Sequence, residues 1–147
     1  MGFDFEKLKQ DFDAAAAAQP CEVACEPAAD EEGFVATMQK YMLAPAKCGV
    51  YYSRLDIKVI GLRFGEDVQV RQRAWMLRDI LRSVTSKERL EELFGIIREV
   101  GEEKIAVYDE LAALFPHSEP IFLERKEQFA QFLQVMEEIA KEFEDVE

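Results

Sequence analysis

Histidine occurs once and cysteine three times in the 147 residues of this chain, so the side chains that most often bind metals or carry catalysis are scarce. With His117 as the single imidazole, histidine-built zinc sites are excluded. So is the carboxylate-bridged two-metal helical site, which takes a Glu-x-x-His motif from each of two helices. His117 itself lies between Pro116 and Pro120, where a place in an exposed turn accounts for it. Glycine-rich phosphate cradles are absent too. Gly61 and Gly65, and Gly95 and Gly101, form neither a Gly-x-Gly-x-x-Gly nor a Walker pattern, and no Gly-x-Ser-x-Gly turn presents a nucleophile.

Cys21 and Cys25 are spaced C-x-x-x-C, which matches neither the C-x-x-C redox pair nor a zinc knuckle. Their neighbours Glu22 and Glu26 favour the neutral thiol, the wrong direction for a reactive cysteine. They stand as redox candidates, or with Cys48 as a three-thiolate soft-metal site, beside the plainer reading of incidental reduced thiols. No cofactor is expected. No apolar run approaches the roughly 20 residues that span a bilayer. The first residues alternate phenylalanine with acids where a signal peptide would carry a basic region and an apolar core. A cytoplasmic protein with no membrane association is the expectation.

What the chain does contain is helical periodicity. Phe122, Phe129, Leu133, Met136, Ala140 and Phe143 recur at steps that keep side chains on one helix face, and Phe132 and Ile139 widen the stripe. Most acids of this segment fall on the other side. An earlier arm opens on Thr85-Ser86-Lys87-Glu88, a capping-box pattern with Thr85 as cap, and continues through Leu90, Phe94, Ile97, Gly101, Ile105, Tyr108 and Ala112. Pro116 cannot continue a helix, whereas Pro120 suits the first turn of the next. The two arms therefore predict a long C-terminal antiparallel helical hairpin.

A pair of helices leaves each half uncovered, and the preceding residues supply the cover. Phe34, Met38, Tyr41 and Met42 predict a short helix ended by Ala44-Pro45, and Val70, Ala74, Leu77, Leu81 and Val84 predict another over residues 66–84. Between them, Val50, Tyr51, Leu55, Val59 and Leu62 fit a helix, while Leu55, Ile57 and Val59 alternate with Asp56 and Lys58 as a strand would. The expected fold is all-α, a bundle of four to five helices over residues 33–147. The alternative is α+β with a small hairpin at residues 55–72.

Residues 1–32 read differently. Phe3, Phe5, Leu8 and Phe12 lie among charged residues as a short amphipathic segment, followed by a connector rich in alanine, acids and proline. This segment docks on its own domain, seats in a partner's groove, or stays disordered.

Charge is unevenly placed. The net −12 divides into two bases against nine acids in residues 1–39, eleven against five in 40–89, and five against sixteen in 90–147. Either the basic middle is neutralised by neighbouring acidic helices, or Arg54, Lys58, Arg63, Arg71, Arg73, Arg78 and Arg82 form a basic face directed at a partner. Nucleic acid is the weaker choice, since a polyanion repels a net-negative protein.

These patterns predict a non-enzymatic interaction module, a small acidic adaptor, chaperone or assembly subunit that contacts another protein and forms a homo-oligomer, most simply a dimer. Partner-binding candidates are Phe3, Phe5, Leu8, Phe12, Phe129, Phe132, Met136 and Phe143, because one neighbour does not easily cover so wide an aromatic stripe. The reading leans away from enzymatic activity. Its alternative is a helical ligand-binding protein or enzyme whose pocket, lined by Tyr41, Tyr51, Tyr52, Trp75 and Tyr108 with arginines, takes an anionic small molecule.

Overall fold

A computed structural model describes residues 33–143 together with Glu6 and Lys7. The chain divides into two units, residues 1–30 and 31–147, and the helices that follow belong to the second. All regular structure among the described residues of that unit is helical: α1 (Phe34–Met42), α2 (Pro45–Cys48), α3 (Arg54–Phe64), α4 (Arg73–Arg82), α5 (Lys87–Leu114) and α6 (Glu119–Glu142), with a 3-10 turn at Pro116–Ser118. The fold is all-α. The strand alternative for residues 55–72 is overturned, since residues 54–64 form one continuous helix.

Local chemistry sets most boundaries. Ala44-Pro45 ends α1, and α2 lasts one turn before Gly49, at φ 82°, takes the left-handed conformation that side chains resist. A capping box opens α3: the Ser53 hydroxyl accepts from the Asp56 N–H at 3.1 Å, and the Asp56 carboxylate accepts from the Ser53 N–H at 2.8 Å. Two boundaries differ from those the sequence predicts. The cap of α5 is Ser86, whose hydroxyl accepts from the Arg89 N–H at 3.2 Å, so the expected Thr85 box is displaced by one residue. Helix α4 starts only at Arg73, because residues 66–72 are held as a loop: the Glu66 N–H bonds Gly61 O, and Lys58 pairs with Asp67.

The long hairpin forms as its periodicity predicts, with neither Gly95 nor Gly101 interrupting α5. The helices close a circuit around one core: α1 packs on α4, α4 on α3, α3 on α5, α5 on α6, and α6 on α1 and α2. Tyr52, Phe64, Phe132, Met38, Met42, Ile57, Ile60 and Met76 are among the largest fully buried side chains. Each such apolar side chain contributes about 1.5–3 kcal/mol relative to exposure.

The stripe of α6 is covered by this chain itself. Phe129, Phe132 and Met136 are buried, Phe132 stacks on Tyr41, and Phe143 meets the Phe34 ring edge-on at 5.4 Å. Gly101 makes the packing possible, because a Cβ there would collide with the Phe129 ring. Gly49 does the same for α2. Its Cβ would run into the backbone carbonyl of Arg125 and lie 2.8 Å from the Phe129 nitrogen.

Candidate functional site

Helix α3 is apolar on two sides. Ile57, Ile60 and Phe64 point into the core, whereas Leu55, Val59 and Leu62, at positions i, i+4 and i+7, form an outward stripe exposed to 72%, 40% and 53%. Val70, in the loop before α4, and Tyr51, just before α3, are exposed as well. A helix exposing three large apolar residues in line is not what a covered face looks like.

The cations expected to form a basic face are mostly engaged close to home. Lys58 pairs with Asp67, Arg63 with Glu99 on α5, and Arg71 with Asp79. Arg73 donates to the Tyr52 carbonyl at 2.6 Å and to Met42 O at 3.3 Å, and lies over the Tyr51 ring. Arg78 stacks on Trp75 at 3.8 Å and reaches Asp79 at 3.6 Å. Arg54 and Arg82 are exposed at the start of α3 and the end of α4. Lys58 and Arg63, which flank the α3 stripe, thus carry ion pairs in place of bare charge.

The far end of the hairpin is a second exposed region. Gly101 is the last fully buried residue of α5 and Phe129 the first of α6; between them only Ile105 and Tyr108 pack, half-buried, against the core. Leu114, Phe115 and Ile121 are each more than half exposed there, with Val107 and Leu123 close to half. The Tyr108–Phe122 stack at 5.7 Å and the Tyr108 hydroxyl, donating to Gly49 O at 3.0 Å, anchor this end to the body. His117 is exposed in the reversal.

A groove of about 390 Å³ runs between the start of α5 and the end of α6. Phe94, Leu133, Met136 and Ala140 floor it, and Gly95 leaves it open, since a Cβ there would meet nothing within 4 Å. Its rim mixes Lys87, Arg98 and Lys141 with Glu91 and Glu137.

The five aromatic residues considered as a pocket lining do not line this groove. Tyr52 is buried with its hydroxyl donating to Ile97 O at 3.2 Å. Tyr41 stacks on Phe132, Tyr108 on Phe122, and Tyr51 and Trp75 each carry an arginine over the ring. Burial pushes the Tyr52 hydroxyl far above the ordinary tyrosine range, which fixes it as a neutral donor. Burial likewise raises the Cys48 thiol, whose S–H donates to Val50 O at 3.0 Å. Burial would raise Asp56 as well, but the Lys104 ammonium at 2.8 Å and the Ser53 donors outweigh it, leaving the carboxyl below its ordinary range.

Among the described residues no group of three or more His, Cys, Asp and Glu is placed to hold a metal ion, and no helix is long and apolar enough to cross a membrane. Phe3, Phe5, Leu8, Phe12, Cys21 and Cys25 lie outside the described residues. Of the partner-binding candidates within them, Phe129, Phe132 and Met136 are buried, Met136 in the floor of the groove, and Phe143 is half-buried against Phe34. The exposed residues of α3 and the hairpin end are not among the candidates that the sequence suggests. For α3 the signal was present as surplus, since Leu55, Val59 and Leu62 form a complete stripe beside the one that Ile57, Ile60 and Phe64 supply.

Neither the models of known protein families, nor the curated proteins, nor the solved structures include a match to this chain.

Proposed function

We propose that this protein is a non-enzymatic interaction module, an acidic adaptor or assembly subunit that pairs with a second copy through α3. The observation that carries this reading is the outward stripe of Leu55, Val59 and Leu62 on a helix whose opposite side already fills the core. Removing that stripe from water is favourable by about 25 cal/mol per Å² of apolar surface. A two-fold arrangement suits it, because the same face then serves both partners. Two of the three cations of α3, Lys58 and Arg63, are already paired with Asp67 and Glu99, which weakens like-charge repulsion between two copies.

Sedimentation velocity of the full chain over a range of concentrations tests it. The expected result is a monomer–dimer equilibrium, abolished by the double substitution Leu55→Ser with Leu62→Ser while the helical circular dichroism is retained. A wild-type chain that stays monomeric throughout, or a double variant that dimerises as well as wild type, overturns it.

A second reading is a carrier of an anionic amphiphile in the α5–α6 groove. It is supported by the apolar floor and the three cations at the rim, and opposed by Glu91 and Glu137 on the same rim. Saturable binding of a long-chain carboxylate, lost when Gly95→Leu fills the groove, would favour it over the first.

A further inference from the structure

The hairpin end is separate from the α3 face, and its chemistry is different. Beyond Tyr108, the last residue of α5 packed against the core, the helix runs on about 9 Å to Leu114, at the 1.5 Å rise of a helix. Residues 102–128 hold seven acids and three bases. All three bases are engaged: Lys104 with Asp56 at 2.8 Å, Lys126 with Asp109 at 2.8 Å, and Arg125 with the carbonyl of Pro45 at 3.2 Å. The carboxylates of Glu103, Glu110, Glu119, Glu124 and Glu127 are exposed along the two arms, Glu110, Glu119 and Glu124 within about one helical turn of Leu114 or Ile121.

We infer that the hairpin end, centred on Leu114, Phe115 and Ile121, is a docking site for a basic amphipathic helix of another protein. Three features argue for that occupant. The exposed apolar side chains call for apolar anchors on the partner. The surplus of carboxylates calls for lysine or arginine flanking those anchors and repels anionic partners, nucleic acid and acidic lipid included. Finally, Leu114, Phe115 and Ile121 are exposed together where two helices meet, a surface suited to the helix-on-helix mode in which anchors recur each turn. A second copy of this chain fits less well, since most cations of its α3 face are already paired.

The probe is a synthetic amphipathic helix of leucine and lysine of about 18 residues, with a leucine–glutamate helix of the same pattern as control. Binding is followed by fluorescence anisotropy on the full chain at low and moderate salt. The expected result is saturable binding of the lysine peptide alone, weakened by salt. Binding falls about tenfold or more in the double variant Leu114→Ser with Ile121→Ser, a loss typical of central anchor residues. These side chains lie outside the core, and the variant's unchanged thermal midpoint confirms that the fold is intact. The α3 variant Leu55→Ser with Leu62→Ser binds the peptide as wild type does, which separates this test from that of dimer formation. Equal binding of both peptides, no binding of either, or a hairpin variant that binds as wild type overturns the inference. So does a hairpin variant that loses the dimer, or co-sedimentation with phosphatidylcholine vesicles that depends on Ile121.

Discussion

The hydroxyl of Tyr52 stands where a side chain on Gly101 would begin: a Cβ at that position would lie 2.7 Å from the oxygen, which donates to Ile97 O one helical turn earlier. The segment before α3 is thereby pinned to the middle of α5, at the level where Phe129 crosses from α6. One missing methyl group lets three elements meet.

Gly101→Ala should therefore be costly although alanine favours a helix by about 1 kcal/mol over glycine. Displacing two packed rings by overfilling costs about 1–3 kcal/mol, and it exceeds the propensity gain. Gly95→Ala, with open space around its Cβ, should instead stabilise by about 0.5–1 kcal/mol. Urea unfolding of the two variants checks both signs.

Ser86, not Thr85, caps α5. Ser86→Ala should cost about 0.5–2 kcal/mol, while Thr85→Ala should stay within about 0.5 kcal/mol of wild type. Equal losses in thermal denaturation would contradict the observed cap.

The linkage at Asp56 runs toward acid. Its folded carboxyl lies below the ordinary value of 3.8, so its contribution is present above that value and is lost as pH falls toward the depressed one. Asp56→Asn should lower stability at neutral pH by about 1 kcal/mol through the lost cap interaction. It should also flatten the acid limb of the stability curve below about pH 4, which urea midpoints taken from pH 3 to pH 7 would reveal.

The linkage at Cys48 and Tyr52 runs the other way. Both folded groups are raised, so the unfolded chain loses its protons first, and stability falls as pH climbs above 9.0 for the thiol and 10.0 for the phenol. Tyr52→Phe should cost about 1 kcal/mol near neutrality for the lost hydrogen bond, and it should reduce the decline above pH 10. Unfolding midpoints measured from pH 7 upward test it.

The hairpin was legible in the sequence because its information is local: a stripe repeating each turn, Pro116 to stop one helix and Pro120 to start the next. The short helix before Pro45 was legible for the same reason. The chemistry this chain lacks was also fixed at that level, since one histidine and no glycine-rich loop exclude histidine-built metal sites and glycine-loop phosphate sites whatever the fold.

Tertiary structure alone decided which apolar faces are covered. Residues 54–64 looked like helix and strand at once because α3 is apolar on opposite sides, and a second stripe erases the contrast from which a helix period is read. The α6 stripe looked too wide for one neighbour and turned out to have three, α5, α2 and α1, the close approach at Phe129 being admitted by the missing side chains of Gly49 and Gly101. A pattern of residues states how much surface must leave water. Which surface does so depends on contacts between segments far apart in the chain, and no local repeat encodes those.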